Sequence, residues 1–506
     1  MASATCLTRK PANGLTKTFD LIVVGGGAAG ATCASRLAEQ NPALSIALLE
    51  AGPSDRHPLV RVPFGLIWLM GSRRDWAYRT VPQESLGGRC VSVPRGKMLG
   101  GSASMNSMVW FRGRTDDYDH WGPGWGWDDV RPHFEAVEEQ MRPAPLRDPH
   151  PLSTALGRVH GGPPTPEVVS SGPFIVNIEN GQHRSPVDAF LRGTNVHVLK
   201  NCSVRKLMFT EGRVQGVQTG GGEQIKARAG VVLSAGTIGT PQILMQSGLG
   251  PAEMLQNAGI AVQRDIPGVG ANLHDHPAVA VHHEGRGSGR GLTLGQLPLW
   301  VAAPFQWLAS GRGPLASNTV EAGGFLAGKD GGAPRFQVHF VPTRIGFGKR
   351  AIGLGAGYYA DVCLMQPRSR GRMTLGANGV VQIDPGLLSD PDDRVELREG
   401  LCALRALLRA APFGPRSAPE VFPATGDDTV AVDAHIDARL GTAYHPVGTC
   451  AIGAVLGHDL AFHGIHGLWL ADASVMPRIT SANTNAPSIM IGHRAARLIT
   501  QQLKAQ

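Results

Sequence analysis

The chain has 506 residues, enough for a large core and two domains, and its 42% hydrophobic content is ordinary for a soluble globular protein. The formal charge of +8 is spread along the chain without a basic run or interleaved aromatics, which describes a solvated surface open to anionic ligands and speaks against a nucleic-acid partner. No apolar stretch reaches the roughly eighteen residues of a transmembrane helix, and seven scattered cysteines with no C-x-x-C exclude a disulfide framework or a zinc site, so a metal-free protein of the reducing cytoplasm is expected.

Residues 1–17 are polar and lack the apolar core of a secretory signal, so a short disordered tail is expected. Phe19 to Val24 is a short β-branched apolar run and reads as a buried parallel strand. It opens into Gly25-Gly26-Gly27-Ala28-Ala29-Gly30, which fits G-x-G-x-x-G at Gly25, Gly27 and Gly30. A helix through Ala31, Ala34, Leu37 and Ala38 follows, then a second strand from Ser45 to Leu49 that ends at Glu50. The order has a physical reason. Gly25 permits the turn, Gly27 lets backbone approach a pyrophosphate, and Gly30 lets helix and strand pack closely. The helix N-terminus presents unpaired N–H groups and partial positive charge to the diphosphate. Glu50, twenty residues after Gly30, stands where an acid binds an unphosphorylated adenosine ribose. The fingerprint alone does not separate FAD from NAD.

Residues 141–166 carry seven prolines and read as a crossing loop. Val196 to Val204 and Val214 to Val217 suggest strands, Val231 to Gly236 another buried strand, and Pro241 to Gln246 a helix with Pro in its first turn. From 277 to 430 the texture changes. Arg335 to Val341, Ala360 to Met365 and Arg372 to Leu375 alternate as antiparallel strands do, and Asp393 to Arg409 is an amphipathic helix. Leu297 to Ala309 is apolar but interrupted by Pro298 and Pro304, and core or pocket lining is the preferred reading over a subunit or membrane contact. Trp121, Trp125 and Trp127 read as packing. The expected fold is α/β, a Rossmann-like domain of residues 18–276 and 433–506 with an antiparallel-sheet (α+β) domain of residues 277–432 inserted.

The C-terminal part concentrates polar chemistry. His445 lies in Tyr444-His445-Pro446-Val447-Gly448, and Asp472, Asn483 and Asn485 follow, with Pro487 opening a helix from Ser488 to Leu498. A His titrates near neutral pH and suits proton transfer. A His and an Asn together with a dinucleotide site suggest a flavin enzyme that takes a hydride from an alcohol.

Four blocks resemble the glucose-methanol-choline oxidoreductase family and span nearly the whole chain. They are the fingerprint with Glu50-Ala51-Gly52, the stretch Gly96 to Asn106, the stretch Gly236 to Gly250, and the His445/Asn485 region. Gly268 to Pro277, which contains His274, Asp275 and His276, is a further stretch similar to the family's. Ala103 stands where the family's first signature has Ser, Thr or Gly. The resemblance implies FAD and assigns its contacts to Gly25, Gly27, Ala28, Ala29, Gly30, Glu50, Ala51, Gly100, Gly101, Ser102, Asn106, Val204, Asp472, Ala473 and Pro487. It implies His445 as the group that takes the hydroxyl proton, and it favours Asn485 over Asn483 as the partner that orients the alcohol oxygen. Met105 occupies the position of a flavin-linking His in choline-oxidase-like members, so non-covalent FAD is expected.

Glu321 lies where choline-processing members place a carboxylate, which makes it a substrate candidate beside the plainer reading of a salt-bridged acid. The C-terminal half is most similar to enzymes of aromatic or primary alcohols. The expected reaction is oxidation of a primary, aromatic or small neutral alcohol to the aldehyde, with O₂ or another acceptor, by a monomer or homodimer. A choline-type dehydrogenase is the alternative. A hydroxynitrile lyase or a flavin photodecarboxylase is the alternative of another class.

Overall fold

A computed structural model describes residues 17–345, 352–421 and 426–505. The expected N-terminal tail lies almost wholly outside the described residues. Strand β1 (Lys17–Val24) leads through the Gly loop into α1 (Ala28–Gln40) and on to β2 (Ile46–Leu49). Leu21 to Val24 are at most 3% exposed. Each such side chain removed from water contributes about 1.5–3 kcal/mol, so the apolar run folds as an interior strand.

The chain then supplies β3 (Ser170–Pro173), β4 (His197–Leu199), β5 (Val204–Thr210), β6 (Arg213–Thr219) and β7 (Gln224–Leu233). Helix α2 (Gly236–Gln246) follows, then β8 (Pro277–Glu284) and β9 (Gly291–Leu292). Helix α3 (Leu297–Ser310) precedes β10 (Ala322–Gly328), β11 (Gly331–Val341) and β12 (Gly355–Leu364). Helix α4 (Pro391–Ala410), β13 (Gly441–Thr442), β14 (Leu468–Leu470) and α5 (Asn485–Ala505) complete the main elements.

Two seven-stranded sheets result. The first has the order β4-β2-β1-β7-β6-β5, with β14 also on β7. Its inner pairs are parallel, and β5–β6–β7 is an antiparallel meander. The second has the order β13-β8-β12-β11-β10-β3, with β9 on β12, and is antiparallel throughout. The α/β expectation holds, with the C-terminal β14 lying parallel beside β7 of the first sheet.

The expected boundaries cut across this topology at three places. β3 lies before 277 yet pairs with β10 of the second sheet. The hairpin Arg372–Leu375/Val381–Asp384 lies inside 277–432, yet Met373, Leu375 and Ile383 pack in the core of the first sheet. β13 lies after 432 and pairs with β8. Ser-Ser-Gly at the start of β3 shows no alternation that could have announced a strand.

The reading of Leu297 to Ala309 as core or pocket lining is corrected. The segment is a helix tolerant of Pro298 in its first turn, and only Ala303 is buried. Leu297, Val301, Phe305 and Leu308 are 53–74% exposed. Trp300 and Trp307 pin it by donating to the carbonyls of Gly291 and Gly181 at 2.9 and 2.7 Å. The Trp121 and Trp125 rings are fully buried beside Tyr118 and Phe134, as packing requires. All six described cysteines are free, and Cys6 lies outside the described residues.

Candidate active site

The Gly loop is shaped by close approach. Gly25 has φ +100°, and a Cβ on Gly30 would stand 1.9 Å from the Gly25 carbonyl oxygen. On the far side, a Cβ on Gly492 of α5 would stand 2.2 Å from the Ala29 carbonyl oxygen. The helix that begins at Asn485 is therefore seated directly on the nucleotide helix α1. A Cβ on Gly27, by contrast, would meet nothing within 4 Å. It would project into a cavity of about 1350 Å³ that runs between the two sheets.

This cavity gathers most of the expected cofactor residues. Gly25, Gly27, Ala28, Ala29, Glu50 and Ala51 line one end, with Gly101, Ser102, Asn106, Val204, Asp472 and Ala473 along its walls. Gly30, Gly100 and Pro487 stand behind the wall: Gly30 packs on the Gly25 turn, Gly100 turns the chain at φ +89°, and Pro487 is buried in the first turn of α5. The Glu50 carboxylate takes N–H bonds from Gly26 at 3.0 Å and Gly52 at 2.7 Å, and burial pushes its pKa up to about 7. Asp472 joins distant segments, accepting from Gly236 N at 2.9 Å, Thr240 Oγ1 at 2.6 Å and Ser474 N at 2.8 Å. Asn106 accepts from Met108 N at 2.9 Å.

At the other end, the segment carrying His445 is held on all sides. Asp275, a buried carboxyl whose pKa burial raises to about 7, accepts from His445 N at 2.8 Å. Thr237 Oγ1 donates to the Pro446 carbonyl at 2.7 Å, and Arg95 donates to the Tyr444 carbonyl. Tyr444 itself is left-handed, φ +65°, a conformation that costs of order 1 kcal/mol or more and persists only where neighbours enforce it. The His445 ring meets His276 Nδ1 at its own Nδ1, 3.0 Å away, and Asn483 Nδ2 at its Nε2, also 3.0 Å away. Burial, with the charges His276, His339 and Arg95 would set against it, drives the His445 pKa well below the ordinary value.

Asn483, not Asn485, is thus the amide beside His445. The physical reason is the start of α5: Asn485 is its first residue, and its side chain lines the cavity with a buried Nδ2 that has no hydrogen-bond partner among the described residues. Asn483 precedes the helix and is gripped by β11, where Gln337 Nε2 donates to its Oδ1 at 2.9 Å and His339 Nε2 lies 3.4 Å from its Nδ2. His339 Nδ1 in turn bonds Asp361 Oδ1 of β12 at 2.8 Å. Sequence reasoning passed over Gln337, His339 and His276. A signal was present for two of them: in Phe336 to Val341, polar Gln337 and His339 alternate with apolar neighbours, as on a strand with one face toward a cavity.

The Glu321 expectation is also corrected. Its side chain is fully buried and does not line the cavity. Oε1 is held by Arg290 at 2.6 Å and Ser317 Oγ at 2.7 Å; Oε2 is held by His150 N at 2.5 Å and Ser153 Oγ at 2.9 Å. Burial alone would raise its pKa, but Arg290 and these bonds outweigh burial and hold it below the usual value. A carboxylate so engaged belongs to the protein's interior.

The cleft thus has a buried histidine with an adjacent amide on one wall and the Gly loop on another. The N-terminal model of the GMC oxidoreductase family matches residues 19–278, and its C-terminal model matches residues 367–492. The chain belongs to the GMC oxidoreductase family, and it is an FAD-dependent oxidoreductase acting on CH–OH donors. It is 34% identical to an alcohol dehydrogenase [acceptor] of Pseudomonas putida, over 96% of both chains. It is also 34% identical to an oxygen-dependent choline dehydrogenase of Brucella anthropi, over 94% of both. The crystal structure of pyridoxine 4-oxidase from Mesorbium loti superposes with a TM-score of 0.83 at 26% identity, covering 94% of this chain and 98% of that one. No described helix is long and apolar enough to cross a membrane.

Proposed function

We propose that this protein oxidises a primary alcohol, aromatic or small and neutral, to its aldehyde, with His445 as base and Asn483 as the donor that orients the alcohol oxygen. One observation carries the reading: His445 Nε2 and Asn483 Nδ2 stand 3.0 Å apart on the cavity wall. An alcohol oxygen that takes the place of this direct contact can reach both. It gives its proton to the imidazole and accepts a hydrogen bond from the amide, which holds the carbinol hydrogen in one direction.

The residues fit FAD. The space before Gly27 is kept clear of side chains, and the bare α1 N-terminus has no side-chain cap to compete with a diphosphate. The orphaned Asn485 Nδ2 is a buried donor, and a buried donor without an acceptor is costly; a bound flavin, rich in carbonyl groups, would supply an acceptor. FAD, when bound, supplies the hydride acceptor. The start of α5 adds partial positive charge for an electron-rich ring.

Asn483→Ala is therefore expected to slow flavin reduction by about 100–1000-fold at unchanged FAD content, the scale of a lost charge-stabilising donor. Asn485→Ala should show itself first as weaker FAD retention. Stopped-flow reduction and flavin content of the two variants separate these roles, and a larger kinetic loss at Asn485 would reverse them.

Met105 supports non-covalent FAD. It offers no ring nitrogen and packs with Val60, Leu69 and Met98. Acid precipitation should leave yellow flavin in the supernatant; colour retained in the pellet would contradict this.

The neutral-alcohol preference rests on the removal of Glu321 from the cavity. The choline-type reading would rest instead on Asp361, a cavity-lining carboxylate whose Oδ1 already holds His339.

A further inference from the structure

The hydrogen bonds around His276 determine where the ring proton of His445 sits. His276 Nε2 lies 3.1 Å from the Thr480 carbonyl oxygen. A carbonyl can only accept, so His276 Nε2 carries the proton. A neutral imidazole has one ring proton, so His276 Nδ1 is bare. That bare nitrogen faces His445 Nδ1 at 3.0 Å, so His445 Nδ1 must be the donor. His445 Nε2 is then bare as well, and it accepts from Asn483 Nδ2. The amide orientation agrees, because Asp361 Oδ1 holds the His339 proton on Nδ1, so the bare His339 Nε2 also faces Asn483 Nδ2 as an acceptor.

The opposite tautomer fails on the same contacts. A proton on His445 Nε2 would leave two bare Nδ1 atoms facing each other, unless His276 were a cation. His276 is fully buried, and burial pushes its pKa down to about 3, so the cation is excluded at neutral pH.

We infer that His276 is a positioning residue: anchored on the Thr480 carbonyl, it fixes His445 as the Nδ1–H tautomer and leaves Nε2 unprotonated toward the cavity. The inference rests on the reading of His445 as base for its function, but not for its geometry. It gives the stretch Leu273-His274-Asp275-His276 a joint task, with Asp275 holding the His445 backbone and His276 holding its ring.

The test is ¹⁵N NMR of the holoenzyme labelled at histidine, with the His445 signals assigned by their loss in His445→Asn. Protonated Nδ1 and bare Nε2 are expected in the wild type. A protonated Nε2 on neutral His445 overturns the inference, whatever the variants do. His276→Leu should mix the tautomers and slow flavin reduction about 10-fold or more at unchanged FAD content. His276→Gln can donate to Thr480 O and accept from His445, and should restore both signature and rate. An unchanged tautomer in His276→Leu also overturns it. If the tautomer is as inferred but His445→Ala reduces its flavin normally, the assignment of the base fails while the positioning geometry stands.

Discussion

His445→Ala will reduce its flavin at least about 100-fold more slowly than the wild type, the scale expected for a lost general base, while retaining its FAD. The ring makes no bond to the Gly loop or to Glu50; its partners are His276 and Asn483. Removing it takes away the proton acceptor and leaves the nucleotide cradle intact. The wild-type rate should also show no inflection from His445 near pH 6.5, where an ordinary His titrates. Burial and the surrounding His276, His339 and Arg95 depress the His445 pKa. The neutral, basic form therefore persists through that region and on to higher pH. Stopped-flow absorbance under anaerobic conditions reads both. Near-normal reduction in the variant would remove His445 from the chemistry.

Arg290→Ala is expected to cost about 3–5 kcal/mol of stability, because it leaves the Glu321 carboxylate buried without its cation. The pair is 2.6 Å apart, with Glu321 fully buried and Arg290 11% exposed. Thermal unfolding of the holoenzyme should show a lowered midpoint, with the apparent affinity for a neutral alcohol little changed. A variant of normal stability that had lost affinity for a cationic alcohol would return Glu321 to substrate recognition.

The nucleotide half was legible because its signals are local. A β-branched run, three glycines at fixed spacing and an acid after the next strand each carry a steric or electrostatic reason, and β1, α1 and β2 fell where those reasons placed them. The choice between Asn483 and Asn485 was not legible. It depends on which residue α5 absorbs as its first turn and on the grip of Gln337, 146 residues away in sequence. Glu321 likewise looked available in sequence, and only the three-dimensional meeting of Arg290, Ser153 and Ser317 shows it consumed. The exposed apolar helix at Leu297–Ser310 shows the limit of composition, since apolar residues usually mean burial but do not require it.

The most direct measurement is anaerobic mixing of the FAD-loaded protein with a panel of alcohols, read as loss of flavin absorbance. Benzylic, furanic and small primary alcohols should bleach the flavin and leave the aldehyde, choline should do so poorly, and none should do so at comparable rate in His445→Ala. A flavin that stays oxidised with every alcohol would contradict the account and favour a non-redox use of the cofactor. Fast bleaching by choline alone would contradict the neutral-alcohol preference.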